Sequence, residues 1–240
     1  MMRNREVLNE IKKQSRTLIE EKRDKFVKQS LLSDEFLDMI QRNRKPFDLL
    51  MSYYQCAIME IETKFKVLNE EYSLEYDKNP IEGIKSRIKS YDSLLKKIRR
   101  KDIPMTLESI EKNITDIAGV RVICYFVDDI YNLADILKRQ SDLVMIRECD
   151  YIASPKPNGY RSYHLIVGIP VYCLDGMEYF PVEIQFRTMS MDFWASMEHR
   201  ISYKKERADK EALTDELREY AEMLVEIEDR FEQYNDVGHL

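Results

Sequence analysis

The 240-residue chain has 44% hydrophobic and 34% charged residues, a composition typical of folded globular proteins rather than disordered or membrane-embedded ones. The formal charge of −6 argues against a protein that coats nucleic acid, although a local basic cleft remains compatible with it. There is no apolar run of about eighteen residues and no signal-peptide core, so we expect a cytoplasmic protein without membrane association. The four cysteines form no C-x-x-C pair, which argues against structural zinc and indicates reduced thiols.

The two ends of the chain have the spacing of long helices. Apolar residues recur every three or four positions from Tyr54 to Tyr72, and the same pattern runs from Leu217 to Tyr234. Stripes of this kind form either intramolecular core or an interface between copies, and the sequence leaves both interpretations open.

A basic segment follows the first stripe. Asn79 and Pro80 suit the N-cap and first position of a helix, and the apolar spacing of Ile84, Ile88 and Tyr91 extends it. We therefore predict a helix beginning at residue 80. Its lysines and arginines have almost no acidic partners, so a site for a polyanion competes with an ordinary solvated surface.

The middle of the chain changes to the period of strands. We predict strands over 120–126, 143–152, 163–172 and 178–187, a helix over 128–140, and a hairpin at Asp175-Gly176. The predicted fold class is α+β, with a mixed β-sheet core flanked by long N- and C-terminal helices.

Two carboxylates stand out in the predicted strands. Glu183, Gln185 and Arg187 alternate with apolar residues in "FPVEIQFRT", and Asp116 lies just before the strand that carries Arg121. If these strands are neighbours, the carboxylates converge among cations. Such a group suits a Mg²⁺-nucleotide reaction, in which carboxylates hold the metal or accept a proton while cations hold phosphate.

The phosphate-binding groups must be side chains. The six glycines exclude a G-x-G-x-x-G loop, and no G-x-x-x-x-G-K-[ST] motif occurs. The stretch "SPKPNGYRSYH" (154–164) needs only Asn158-Gly159 for a tight turn. Its Tyr160 could stack on a nucleobase while Lys156 and Arg161 contact phosphates, which indicates a nucleotide-binding enzyme.

The motifs "DIAGVRV", "PKPNGYRSYH", "VEIQFRT" and "FWASMEH", in this order, resemble the synthetase domain of RelA/SpoT proteins. The resemblance covers roughly residues 80–205, leaving an N-terminal helical region (1–79) and a C-terminal helix (206–240). It implies a nucleotidyltransferase-like fold and a stand-alone small alarmone synthetase of the stringent response. Such an enzyme moves the β,γ-pyrophosphate of ATP to the 3′-hydroxyl of GTP or GDP, making pppGpp or ppGpp.

The resemblance also implies roles for individual residues. Asp116 would bind Mg²⁺, and Glu183 would act as general base on the 3′-hydroxyl and contact the metal. The ATP-binding residues would be Arg87 and Arg121, which sandwich adenine, and Lys89 and Lys97, which contact phosphates. The GTP- or GDP-binding residues would be Lys156, Asn158, Tyr160, which stacks on guanine, and His164. Further candidates are Arg161, in the same loop, and Gln185, Arg187 and His199, which fall inside the matching segments. Packing is the favoured interpretation for Trp194, Glu198 and His199.

Other interpretations of function remain open at this point. Relatives of the family pyrophosphorylate adenosine nucleotides or tRNA 3′ ends, and a non-catalytic nucleotide- or RNA-binding regulator is a third class. None of the three histidines precedes an aspartate, so we expect no alarmone hydrolysis. Family members often form tetramers through helices outside the core, which suits the two stripes, and pppGpp or RNA could regulate the protein.

Overall fold

The computed structural model describes residues 34–202 and 210–237. The helices are α1 (Arg44–Tyr76), α2 (Tyr91–Lys101), α3 (Leu107–Asn113), α4 (Val127–Lys138), α5 (Met189–Ser202) and α6 (Lys210–Val237). Residues 34–42 are also helical. The strands are β1 (Ile81–Ile88), β2 (Ala118–Cys124), β3 (Val144–Asp150), β4 (Tyr163–Cys173) and β5 (Gly176–Thr188).

The five strands form one mixed sheet in the order β1-β2-β5-β4-β3. Strands β2 and β5 run parallel, and the other neighbouring pairs are antiparallel. The α+β class and the mixed sheet are therefore confirmed. The predicted hairpin is confirmed as well, since Cys173 pairs with Gly176 across a two-residue turn.

The helix predicted to begin at residue 80 is wrong in its first half. Residues 81–88 form strand β1, and the helix begins only at Tyr91. Strand β1 pairs along β2, with Ile84 opposite Val122 and Ile88 opposite Ala118. This pairing gives the backbone hydrogen bonds and apolar contacts that the local sequence cannot show, so tertiary structure overrides the helical spacing.

The two apolar stripes have different fates. Tyr54, Ile61 and Phe65 of α1 are buried, and the Phe65 ring packs edge-on against Phe186 of β5 at 5.6 Å between centroids. The N-terminal stripe is thus intramolecular core on one face of the sheet. In α6, by contrast, the stripe is buried at Leu217 and leaves five apolar side chains exposed: Tyr220, Met223, Ile227, Phe231 and Tyr234. We call these five residues the exposed stripe.

The chain divides into two compact units. Of the described residues, 34–48 and Tyr91–Asn113 belong to the helical unit, and Leu49–Ser90 with the described part of 114–237 belong to the sheet unit. In the helical unit, Phe47, Leu94 and Ile98 are buried, and the Phe47 ring lies 5.6 Å from that of Tyr91. The domain boundaries predicted after residues 79 and 205 stay predictions. Within the described ranges, no helix is both long and apolar enough to span a bilayer.

Candidate nucleotide-binding site

Strand pairing gathers the predicted polar residues on one face of the sheet. Arg87 of β1 lies opposite Gly119 of β2, and Gly119 lies opposite Glu183 of β5. In the next row, Arg121 pairs with Gln185. Because side chains alternate between the faces of a strand, paired residues in these rows point to the same side. This side is opposite to the apolar face that α1 covers, so it is available for a ligand.

A basic cavity of about 250 Å³ opens on this polar face. Its lining residues are Lys85, Ser86, Arg87, Gly119, Val120, Arg121, Glu183 and Gln185. Three of them are cations and one is an anion, and Gly119 contributes no side chain. A cavity with these groups suits a ligand with several negative charges, such as a nucleoside triphosphate.

A second, smaller cavity of about 100 Å³ adjoins Glu183 from the side of β3 and β4. Its lining residues are Arg147, Cys149, Tyr151, His164, Ile166 and Glu183. We call it the loop-side cavity, because Tyr151 begins the loop of residues 151–162 and His164 lies just after it. Glu183 lines both cavities and is therefore the carboxylate that lies between two possible ligands.

The environment of Glu183 keeps it ionised. Burial raises the pKa of this carboxyl, but the hydrogen bond and charge of His164 and the amide of Gln185 outweigh burial and hold the pKa below its usual range. Gln185 Nε2 donates to Glu183 at 2.9 Å, and His164 Nδ1 lies 3.7 Å from Glu183 Oε1. An ionised carboxylate at this position can accept a proton from a bound hydroxyl group.

A hydrogen-bonded chain links Glu183 to the loop. Arg187 donates to the Tyr160 hydroxyl at 3.0 Å, and that hydroxyl lies 2.9 Å from His164 Nε2. The His164 ring therefore contacts Tyr160 through Nε2 and faces Glu183 through Nδ1. The ammonium of Lys156 lies 4.7 Å from the centre of the Tyr160 ring. The predicted acceptor residues and the predicted base thus form one connected group.

The loop is held against α6 by a close contact. Gly159 has a φ of +87°, and a Cβ at this position would lie 2.7 Å from Ala221 Cβ and 2.9 Å from Arg218 Cα. Only glycine accepts both the backbone conformation and the approach of the helix. Beside this contact, Trp194 Nε1 donates to the backbone oxygen of Leu217 at 2.8 Å. The position of the loop therefore depends on the docking of α6.

The second predicted carboxylate, Asp116, lies two residues before β2. Lys89 Nζ contacts its Oδ2 at 3.1 Å, and the pairing of Ala118 with Val182 brings the start of β2 beside the strand that carries Glu183. The charge of Asp116 accordingly raises the pKa of Glu183. No group of three or more histidine, cysteine or acidic side chains suited to a metal occurs among the described residues. Mg²⁺ commonly takes one or two carboxylates and completes its shell with water and substrate phosphates, so this donor set fits Mg²⁺ with nucleotide bound.

Two predicted residues, His199 and Arg161, lie apart from this group, and a third, Lys97, belongs to the other compact unit. Lys97 belongs to α2 in the helical unit, and His199 is exposed near the C-terminal end of α5. Arg161 lines a small space beside α6 together with Glu228. Their predicted roles stay predictions.

Two residues of the site were missed at the sequence level, and a third, Lys85, was placed in the basic segment but not in the site. Lys85 and Arg147 line the two cavities, and the buried Asp192 of α5 forms ion pairs with Lys85, Arg121 and Arg187. The alternation of Lys85 with Arg87 could have indicated the first residue if 81–88 had been recognised as a strand. Asp192 had no such signal, because its partners come from three strands.

Comparison with known proteins gives a consistent result. Residues 86–208 match the family model described as the region found in RelA/SpoT proteins. The GTP pyrophosphokinase YwaC of Bacillus subtilis is 48% identical over 170 residues, covering 71% of this chain and 81% of YwaC. The GTP pyrophosphokinase YjbM of the same organism is 42% identical over 160 residues, covering 67% of this chain and 74% of YjbM.

Solved structures agree with these matches. The crystal structure of the small alarmone synthetase 1 from Bacillus subtilis, bound to its product pppGpp, superposes with a TM-score of 0.73 and 36% identity. The alignment covers 82% of this chain and 100% of that one. The small alarmone synthetase 2 from the same organism superposes with a TM-score of 0.69 and 43% identity, over 78% of this chain and 97% of the other.

Proposed function

Because the chain belongs to the RelA/SpoT family, we infer that it is a (p)ppGpp synthetase, a GTP pyrophosphokinase of the small alarmone synthetase type. It transfers the β,γ-pyrophosphate of ATP to the 3′-hydroxyl of GTP or GDP. The single observation that carries this inference, beside the family, is the position of Glu183 between a basic cavity and an aromatic, basic loop. A carboxylate between two nucleotide sites is what a transfer from one nucleotide to the other needs.

The reaction is a displacement at the β-phosphorus of ATP. The 3′-oxygen of the acceptor forms a bond to that phosphorus, the bond from the β-phosphorus to the oxygen bridging it to the α-phosphorus breaks, and AMP leaves with that oxygen. Most of the catalysis in such transfers comes from alignment and from neutralising charge around the phosphorus. On the donor side, Arg87 and Arg121 would sandwich adenine, and Lys85 would supply positive charge in the same cavity.

Glu183 is the proposed general base. It is ionised because its pKa lies below the usual range, so it can take the proton of the 3′-hydroxyl as the new bond forms. The Tyr160 and His164 side chains orient this carboxylate through the hydrogen-bonded chain described above. We further propose that Tyr160 stacks on the guanine base, with Lys156, Asn158 and His164 in the same binding loop.

We also propose Mg²⁺ as the cofactor, held by Asp116 and Glu183 together with phosphate oxygens of the nucleotide. Bound there, the ion would offset negative charge on the phosphates. The ion pair between Asp116 and Lys89 supports a site that is organised before nucleotide binds. Lys89 would then contact phosphate beside the metal.

The expected partners beyond substrate are further copies of the chain. The exposed stripe of α6 leaves Ile227 and Phe231 50% and 65% exposed, an arrangement that favours an interface between copies. We propose a homo-oligomer, with a tetramer favoured. The double variant Ile227→Asp, Phe231→Asp should lower the molar mass measured by light scattering. An unchanged mass would contradict an interface at the exposed stripe. A cytoplasmic location follows from the proposed substrates, and pppGpp or RNA remains the proposed regulator.

The proposed function is tested by following label from γ-labelled ATP. The purified protein is incubated with Mg²⁺ and, separately, GTP, GDP, ATP alone or bulk tRNA, and products are resolved by anion exchange. We expect label in pppGpp or ppGpp, and Glu183→Gln should lose about 10²- to 10⁴-fold in rate, the usual contribution of a general base. Glu178→Gln, an exposed carboxylate on the same strand, is the matched control and should keep full activity.

Other outcomes of this assay are equally informative. If label appears only on tRNA or on adenosine nucleotides, the protein is still a pyrophosphokinase, but the proposed stacking of guanine on Tyr160 is contradicted. No transfer to any acceptor would contradict the synthetase function and favour a nucleotide-binding regulator.

A further inference from the structure

We propose that Asp192 is a positioning residue that couples the two nucleotide sites, because its carboxylate joins cations of the basic cavity to the arginine that holds Tyr160. This assignment rests on the proposed function and names a residue that neither the sequence motifs nor the nucleotide roles include. Asp192 lies in the first turn of α5 and is 6% exposed.

The carboxylate has three cationic partners. Asp192 Oδ1 accepts from Arg121 Nη1 at 2.9 Å and from Arg187 Nη1 at 3.1 Å, and Oδ2 accepts from Lys85 Nζ at 3.1 Å. Lys85 and Arg121 line the basic cavity. Arg187, which is itself 5% exposed, donates from Nη2 to the Tyr160 hydroxyl and to Gln185 Oε1. One buried anion is thus shared by groups that serve different ligands.

The shared oxygen makes the two sides interdependent. Arg121 and Arg187 both donate to Oδ1, so displacement of one guanidinium changes the position of the acceptor that restrains the other. Arg187 Nε has no hydrogen-bond partner among the described residues, and the side chain therefore relies on its two terminal nitrogens. An ATP molecule that shifts Arg121 on binding in the basic cavity would alter the restraint on Arg187 and hence on Tyr160.

Electrostatics explains why a carboxylate is needed at this position. Burial and the nearby Arg187 lower the pKa of Arg121, whereas the charge of Asp192 opposes them. Burial raises the pKa of Asp192, but Lys85, Arg121 and Arg187 together hold it below its usual range. Without the carboxylate, the partly desolvated Arg121 and Arg187 would repel one another and the nearby Lys85 ammonium. Their separation would disturb the donor side and the acceptor loop at once.

The test measures binding of each nucleotide separately, so it does not depend on turnover. The probes are GDP and an ATP analogue with a methylene bridge between the α- and β-phosphorus atoms, and the dissociation constants are measured by calorimetry. For Asp192→Asn we expect both affinities to fall about tenfold, the size of a typical coupling between sites. Lys85→Met should weaken the ATP analogue more than GDP, and Tyr160→Phe should weaken GDP more than the ATP analogue, because both side chains also belong to the network around Asp192.

The matched control is Asp142→Asn. Asp142 also forms a short ion pair, with Lys64 at 2.6 Å, but it lines neither nucleotide cavity, so both affinities should stay unchanged. Loss of only one affinity, or of neither, in Asp192→Asn would overturn the coupling. If the wild-type protein binds neither nucleotide, the proposed function and the role of Asp192 are overturned together. If the wild type binds both and Asp192→Asn binds them equally well, only the role of Asp192 is overturned.

A second variant keeps the test decisive if Asp192→Asn does not fold. Arg187 does not line the basic cavity, yet the shared carboxylate predicts that Arg187→Met weakens the ATP analogue as well as GDP. An unchanged affinity for the ATP analogue in this variant would overturn the proposal. A tenfold loss, with the thermal unfolding temperature retained, would support it.

Discussion

Replacing Gly159 by alanine tests whether α6 controls the acceptor loop. At this glycine φ is +87°, and a Cβ would lie 2.7 Å from Ala221 Cβ, 2.9 Å from Arg218 Cα and 3.3 Å from the Leu217 oxygen. Two of these three neighbours are helix backbone atoms, which cannot rotate away as the end of a side chain can. The loop and α6 must therefore separate.

The magnitude follows from two contributions. Forcing alanine into a positive φ costs about 1 kcal/mol, and overpacking a tight contact costs about 1 to 3 kcal/mol. Gly159→Ala should then lose about 2 to 4 kcal/mol of unfolding free energy, which corresponds to a fall in Tm of roughly 5 to 15 °C for a chain of this size. Because Lys156 and Tyr160 move with the loop, GDP should bind about tenfold more weakly.

Gly176→Ala is the matched control for this variant. Gly176 also has a positive φ, of +130°, but no atom lies within 4 Å of a Cβ built there. It should lose stability from backbone strain alone and keep its GDP affinity. The assay combines thermal unfolding, calorimetry with GDP and tryptophan fluorescence. Trp194 is the single tryptophan of the chain and donates a hydrogen bond to α6, so its emission in Gly159→Ala should shift to the red. If Gly159→Ala behaves like Gly176→Ala in all three measurements, α6 does not hold the loop.

The remaining predictions concern titration and thiol reactivity. Burial raises the pKa of Glu228 above its ordinary value of 4.5. The protonated carboxyl therefore stabilises the folded state below that pH, and this stabilisation is lost as the pH rises through the folded-state pKa. Glu228→Gln should accordingly raise Tm at pH 7 but not at pH 4. For Asp192 the pH dependence is reversed, because a lowered pKa stabilises the folded state above the ordinary value of 3.8 and this stabilisation is lost at lower pH. Below about pH 4 the unfolding free energy of the wild type should therefore fall more steeply than that of Asp192→Asn. An equal pH dependence in the two proteins would contradict this. Iodoacetamide should label the exposed Cys56 in the native protein and spare Cys124, whose thiol is buried with a raised pKa, until the chain unfolds, which mass spectrometry would detect.

Several parts of the site could be predicted because their signals are local. The alternation of Glu183 and Gln185 with apolar residues depends only on the period of a strand, and Asn158-Gly159 marks its turn without any tertiary information. The proximity of Asp116 to Glu183 needed one further assumption, that β2 and β5 are neighbours. The parallel pairing of Gly119 with Glu183 supplies it.

The errors of prediction arise where distant segments decide the local structure. Residues 81–88 have the apolar spacing of a helix, yet pairing with β2 makes them a strand and places Lys85 and Arg87 in the basic cavity. The sequence left the role of both apolar stripes open, because a heptad pattern looks the same whether the partner is the chain's own sheet or another copy. Only burial at Phe65 and exposure at Phe231 distinguish them.

By itself, then, the sequence predicted two carboxylates and a basic, aromatic loop as candidate groups for a nucleotide reaction, since those signals are residue type and spacing within single segments; the choice of Glu183 as base came from the resemblance to RelA/SpoT proteins. Only the tertiary structure decided that Asp192 binds cations from three strands and that Gly159 lies against α6. The physical reason is range. Strand period and turn preference act over a few residues, whereas a shared counter-ion and a close backbone contact exist only once segments far apart in the chain have packed together.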